Sequence, residues 1–229
     1  AITGQKIYIT WADNDFTENV CHLVLARLPD GAEGTRGISL FMVPKIIPDA
    51  EGRLGARNSL KVVSLEHKLG LHGSPTAVMQ YDGAIGWLVG EPHKGMAAMF
   101  TMMNNARLGV GVQGISVAEA AYQAALTYAM ERKQGKTPLG AGAIIDHADV
   151  RRMLAEMKAE VFAARSIALA CAVALDMGRA TGDAAWAARA AFLTPIAKAD
   201  GTGVGNAGAY MGGPGRGGGS PAWPRAGRW

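Results

Sequence analysis

Hydrophobic positions in this chain follow two different periods. From residue 2 to about residue 92 they fall in short runs: ITGQKIYIT (2–10), CHLVLARL (21–28), ISLFMVP (38–44), LKVVSLE (60–66) and TAVMQYDG (76–83). The runs are rich in Val, Ile, Thr, Tyr and Phe, which pack well on a pleated surface. Turn formers such as Pro29-Asp30-Gly31 and Pro48-Asp49 separate them. Several short strands with no helix between them predict an antiparallel barrel or sandwich. Residues 49–58 are polar and hold Gly52 and Gly55, which reads as an exposed loop.

After Glu91-Pro92-His93-Lys94-Gly95 the period becomes three and four. Leu108, Val112, Ile115, Ala118, Tyr122, Ala125 and Ala129 mark one face of a helix within residues 101–136. Gly109, Gly111 and Gly114 lie inside it. Each costs a helix about 1 kcal/mol relative to Ala, so the close approach of another backbone or a ligand is expected there. Residues 135–142, with Pro138 and several glycines, read as a turn between antiparallel helices. A second helix follows over 146–177, with Val150, Met153, Met157, Val161, Ala164, Ala168, Cys171 and Leu175 inward and Gly178 at its end. A third begins at the N-cap Asp183 and buries Trp186, Ala190, Leu193 and Ala197, with a kink expected at Pro195. Three long helices make most of an antiparallel bundle. The fold class is thus α+β: an antiparallel β-barrel domain (1–94), then an incomplete C-terminal four-helix bundle (95–199).

Beyond Ala199 the composition shifts. Eleven of the 31 glycines and three of the ten prolines fall in the last 29 residues, with almost no aliphatic side chain after Val204. Such a segment buries too little apolar surface to offset its ordering entropy, so 200–229 is expected to be a disordered tail. The charge also sits there. Arg216, Arg225 and Arg228 supply three of the net +4 charges, leaving the first 200 residues at +1, without the basic stripe that neutralises a nucleic-acid backbone. Cys21 and Cys171 stand far apart and the five histidines show no HxxxH or HExxH pairing, so no metal site is expected. No apolar run of about 18 residues and no signal pattern are evident, which predicts a cytoplasmic protein without membrane contact.

Three segments resemble one family. Gly4-Gln5-Lys6-Ile7-Tyr8-Ile9-Thr10 resembles the GxKxWIT strand of acyl-CoA dehydrogenases, GLHGSPT (70–76) resembles their GxRxSxT turn, and Arg107 through Gly135 resembles their helix ending in RxxFG. Order and spacing agree from residue 2 to about residue 199. EHKLGLHGSPT and GWLVGEPHKGM are most similar to the branch that includes 3-methylthiopropanoyl-CoA dehydrogenase. The resemblance implies an oxidoreductase with FAD as cofactor, an acyl-CoA substrate and an electron-transfer flavoprotein as partner. It also implies a homo-oligomer, a tetramer in intact relatives, and a chain that corresponds to the middle β-domain and most of the C-terminal bundle.

Site residues follow from the same resemblance. Tyr8 stands where many members have Trp, Ile9 follows it, and Thr10 supplies a hydroxyl near the flavin ring. Arg132 and Gln134 stand where the family binds the FAD pyrophosphate, commonly that of a partner subunit; a guanidinium fork suits two adjacent phosphates. Here Gln134 is followed directly by Gly135, without the family's Phe. Arg107, Asn104 and Ser74, with Thr76 beside it, are the expected acyl-CoA contacts. The catalytic base is a Glu beyond the third bundle helix in most members and a Glu immediately before the first-helix arginine in others. The second position is Ala106, and the sequence after Ala199 contains no Glu, so no catalytic base is expected in this chain. Gly-Pro-Gly-Arg at 213–216 is what codons for Gly-Val-Gln-Val give when read one nucleotide out of phase, which motivates the hypothesis that a frameshift replaced the fourth helix and that Ala1 follows a truncation. Two other readings are a DNA-associated alkylation-response flavoprotein, supported by the Arg/Gly tail, and a non-catalytic helical adaptor.

Overall fold

The computed structural model describes residues 1–137 and 142–213. The chain divides into two compact units, 1–102 and 103–229. The division falls within the first long helix, whose first residue is Gly95.

The first unit holds eight strands: β1 (Ile2–Thr10), β2 (Cys21–Arg27), β3 (Ile38–Pro44), β4 (Ile46–Pro48), β5 (Leu54–Arg57), β6 (Leu60–Leu65), β7 (Thr76–Ala84) and β8 (Trp87–Val89). They form antiparallel sheets ordered β1-β7-β6, β2-β3-β8 and β4-β5. Alternation sets which face is buried: along β7, Ala77, Met79 and Tyr81 point inward and meet Ile2, Val24, Val43 and Leu60. The two three-stranded sheets therefore share one core. They do not close into the expected barrel, because closure requires every strand to pair on both sides and each sheet ends in two edge strands among the described residues. The expected loop at 49–58 is instead mostly the β4–β5 hairpin, whose turn is fastened by Asp49 accepting from the Glu51 and Arg53 amides and pairing with the Arg53 guanidinium.

Buried polar groups tie this unit together. Asn58 donates to the carbonyls of Pro44 and Ile85 and accepts from the amides of Ser59 and Ile85, so one side chain joins the end of β3 to the β7–β8 turn. His22 lies 2.6 Å from the Ala12 carbonyl through Nε2 and 2.7 Å from the Tyr81 hydroxyl through Nδ1. A carbonyl only accepts, so Nε2 carries the proton and Nδ1 accepts from Tyr81. Burial pushes the Tyr81 phenol up to about 12.

In the second unit, α1 (Gly95–Glu131), α2 (Ala148–Thr181) and α3 (Ala184–Gly212) account for nearly all described residues. α1 and α2 meet through Ile115 and Ala118 against Val161, Ala164 and Ala168, and further along through Ala125 and Ala129 near Leu154, an antiparallel order. Val112, expected inward, is 45% exposed; Gly111 occupies the buried place beside it. α2 does not stop at Gly178. It runs to Thr181 and ends at the left-handed Gly182, whose amide bonds the Gly178 carbonyl. Asp183 caps α3 as expected, accepting from the Ala185 amide at 2.8 Å. α3 continues through Pro195 as one helix.

The largest correction is at the end of α3. Residues 201–212, expected in a disordered tail, are helical, and Gly201, Gly205, Gly208 and Gly212 form its buried face. A Cβ built on Gly201 would lie 2.5 Å from the Gly111 carbonyl oxygen, one on Gly111 would lie 2.5 Å from that of Ala197, and Gly205 faces Gly114 in the same way. The two helices touch backbone to backbone, the approach expected from the α1 glycines, and no aliphatic side chain is needed between them. The expected tail beyond residue 213, with its frameshift signature, lies outside the described residues. An 18-residue window of α2 is apolar enough by length and composition to cross a membrane, contrary to the sequence expectation that no such run exists. In this structure that helix packs one face against α1 and α3.

Candidate functional site

In the first unit the expected ring-binding residues sit where β1 ends. The ladder with β7 slips between Lys6 and Ile9, and Tyr8 at that irregularity has φ 58°, a left-handed conformation that a non-glycine residue adopts only when its surroundings impose it. Trp11 (φ 57°) and Leu71 (φ 52°) share that conformation. Such residues cost about 1–3 kcal/mol each and gather at ligand-contacting segments. Tyr8 is 67% exposed, whereas Ile9 packs against the core and anchors the strand.

The structure joins this strand end to the GLHGSPT turn. Thr10 pairs with Thr76 in the β1–β7 ladder, and their hydroxyls lie 3.3 Å apart. The Trp11 amide donates to the Pro75 carbonyl at 2.9 Å, and the Ser74 amide to the Leu71 carbonyl at 2.9 Å. Tyr8, Ile9, Thr10, Ser74 and Thr76, far apart in sequence, thus form one local constellation. The exposed Tyr8 and the paired Thr10 and Thr76 hydroxyls are an aromatic ring and polar groups of the kind that fit a flat heteroaromatic ligand with polar edges, such as a flavin ring. Trp11 is the neighbour that sequence reasoning missed. It stands just past the strand, where periodicity carries no signal, and its ring meets Phe16 edge-on at 5.7 Å. A separate concavity of about 550 Å³ is lined by Ile2, Lys6, Arg27, Phe41 and Tyr81 and does not include Tyr8 or Thr76.

In the second unit, Asn104 and Arg107 are one turn apart on α1, and the Arg107 guanidinium donates to the Asn104 side-chain oxygen at 3.2 Å. Ala106 between them is exposed. The next carboxylate along α1, Glu119, lies about 18 Å further down the axis at 1.5 Å per residue. It accepts from Gln123 and from Arg165, and these two bonds hold its pKa below the usual carboxylate range. The Arg165 bond ties α1 to α2.

Arg132 and Gln134 lie just past the end of α1, roughly 37 Å along the axis from Arg107 at the same rise, so the two arginines serve different places. The Arg132 carbonyl accepts from Ile144, Lys133 bridges Ala143, and the Gln134 carbonyl accepts from His147 Nε2 at 2.9 Å. This pinned loop leaves the Arg132 side chain exposed at a helix C-terminus, where its positive charge meets the negative end of the helix dipole.

The chain thus joins a β-unit of short antiparallel sheets to a set of long helices, the first two antiparallel. Residues 93–197 match the acyl-CoA dehydrogenase C-terminal domain. The chain is 49% identical over 205 residues to 3-methylmercaptopropionyl-CoA dehydrogenase of Ruegeria pomeroyi, covering 86% of this chain and 35% of that protein. It is 40% identical over 190 residues to a butyryl-CoA dehydrogenase of Syntrophomonas wolfei, covering 78% of this chain and 31% of the relative. Among solved structures, Caenorhabditis elegans ACDH-11 in complex with C11-CoA superposes with a TM-score of 0.75 at 25% identity, over 93% of this chain and 35% of that one. The chain belongs to the acyl-CoA dehydrogenase family. It spans about a third of the length of the two curated relatives.

Proposed function

We propose that the chain forms part of an FAD-dependent acyl-CoA dehydrogenase that introduces a double bond between Cα and Cβ of an acyl thioester. The observation that carries this reading is Tyr8, exposed near the end of β1, followed by Thr10 paired with the buried Thr76, in a chain of this family. FAD, when bound, supplies the acceptor for the β-hydride. Tyr8 and the Thr10 hydroxyl, shared with Thr76, are the groups that would hold its ring, and Ile9 anchors the strand that carries them. Arg132, with Gln134, would hold the pyrophosphate, in the family commonly that of a second subunit of a tetramer. Arg107, oriented by Asn104, and Ser74 face the acyl-CoA. An electron-transfer flavoprotein takes the electrons onward, in the cytoplasm. The Ruegeria relative's name makes a short thioether acyl-CoA the first substrate to try.

The α-proton requires an acceptor, and these 229 residues place none at either position expected from the family: Ala106 precedes Arg107 and no Glu follows Ala199. The expected behaviour of this chain is FAD binding with little or no reduction of the flavin by acyl-CoA. Ala106→Glu sets a carboxylate next to Arg107 and is expected to raise the reduction rate by roughly 10²- to 10⁴-fold, the usual contribution of a positioned base. Bleaching of the visible flavin band in a stopped-flow trace reads both. Rapid bleaching with Ala106 intact overturns the missing-base reading, and a chain that takes up no FAD overturns the cofactor reading. Family membership favours this proposal over the DNA-associated and adaptor readings.

A further inference from the structure

The GLHGSPT turn is held with almost no apolar burial. Leu69 and Leu71 are 107% and 76% exposed, and a Cβ built on Gly70 or Gly73 would meet nothing within 4 Å. Leu71 nevertheless keeps its left-handed backbone, which needs support from elsewhere. That support is polar. The Lys68 ammonium donates to the Leu71 carbonyl at 2.8 Å and also to the Ser74 carbonyl, while the Leu71 oxygen additionally receives the Ser74 amide. No carboxylate pairs with Lys68 among the described residues, so its charge is directed at these carbonyls. An ammonium carries three donors on a small head, and bonds from a charged donor are about twice as strong as neutral ones.

The next residues after Ser74 touch the candidate ring site: the Pro75 carbonyl receives the Trp11 amide and Thr76 meets Thr10. We propose that Lys68 is a positioning residue for that site, gathering two carbonyls so that the turn stays closed against the end of β1. The inference rests on the flavin reading above for what the site binds, but not for the clamp itself. Without the ammonium, Leu71 relaxes, the turn opens, and the hydroxyl pair and the left-handed Trp11 lose their fixed relation. Lys68 touches no ligand in this account; it acts through Ser74, Pro75 and Thr76.

The test compares the full chain with Lys68→Met, which keeps the aliphatic stem, and Lys68→Arg, which restores donors. Amide hydrogen exchange is followed in segments 8–12, 70–76 and 77–84. Binding of lumiflavin, a ring without phosphate, and of FAD is read by flavin fluorescence, and the thermal midpoint by circular dichroism. The expected result for Lys68→Met is exchange about tenfold faster at the Trp11 and Ser74 amides and lumiflavin binding about tenfold weaker. Exchange in 77–84 and the melting midpoint stay near those of the parent, and Lys68→Arg recovers most of the loss. Unchanged exchange in 70–76 overturns the clamp. Faster exchange with unchanged lumiflavin affinity overturns its link to the ring site, and loss of protection throughout β7 with a collapsed midpoint reduces Lys68 to a structural role. If the parent chain binds neither lumiflavin nor FAD, the flavin reading fails, and the exchange data alone still decide the clamp.

Discussion

The core of the β-unit and the α1–α3 seam of the helical unit are built by opposite means. In the β-unit the core consists of whole side chains: Met79 and Val43 are fully enclosed and Tyr81 is 2% exposed. In the helical unit Ile115, Leu154, Met157 and Val161 are buried among Ala118, Ala125, Ala129, Ala164, Ala174 and Ala197, and the seam between α1 and α3 is glycine against backbone. A core of large side chains fails when atoms are removed, because the cavity cannot collapse fully. A seam of glycines fails when atoms are added, because the obstacle is main chain and has no rotamer to change. The same contrast applies to function. The β-unit places its candidate ligand groups by strand register and a fastened turn, whereas the helical unit places its two arginines by distance along one straight element.

Removing and adding atoms test this contrast directly. Met79→Ala is expected to show the largest loss, about 2–5 kcal/mol in urea denaturation, confined to the transition of the β-unit. A loss below about 1 kcal/mol would mean that the shared core of the two sheets is looser than described. Gly201→Val comes next, at about 1–3 kcal/mol or more, and acts on the helical transition. If this variant melts like the parent, α1 and α3 do not touch at Gly111 and the helix beyond Ala199 does not pack as described. Tyr81→Phe has the smallest effect, about 1 kcal/mol near neutral pH, since it removes one buried hydrogen bond to His22 and leaves Nδ1 without its donor.

Tyr81→Phe also sharpens the comparison through pH. The folded phenol titrates at about 12, above its ordinary value of 10.0, because burial disfavours the phenolate. Below pH 10 both folded and unfolded chains keep the proton. Between 10 and 12 the unfolded chain releases it while the folded chain does not, so stability falls as pH rises, by up to roughly 2 kcal/mol from this group. The Phe variant is expected to lose that part of the slope between pH 10 and 12, measured as denaturation midpoint against pH. An unchanged slope would place Tyr81 in contact with water.

Much of this architecture was legible in the chain. The strands at 2–10, 21–28, 38–44, 60–66 and 76–83 agree with β1, β2, β3, β6 and β7 to within a residue or so at their ends, because alternation reports burial directly. β4, β5 and β8 were missed, being three or four residues long, too short for a period to register. Gly178, a glycine after an apolar stripe, carries the usual signal for a helix end. The chain uses Gly182 instead, since only there does the backbone turn left-handed. Of the candidate site, the pairing of Asn104 with Arg107 could be read from helical spacing, while Trp11 and Lys68 could not. Their roles depend on a loop returning to a strand some sixty residues away in sequence.

The sequence by itself determined the kind and order of the longer elements, the family, and the absence of a carboxylate beside Arg107, since these depend on local periodicity and residue identity. Tertiary structure alone decided that the sheets stay open and that the glycines after Ala199 form a helix face. It also decided that Thr76 and Pro75 close on Thr10 and Trp11. The physical reason is common to all three. Whether an edge is paired, whether a glycine is buried or idle, and whether a turn meets a strand depend on what lies across the gap, and composition along the chain carries no term for that neighbour. The spacing of four, three and four between Gly201, Gly205, Gly208 and Gly212 was present in the sequence, but it gained meaning only when Gly111 and Gly114 stood opposite.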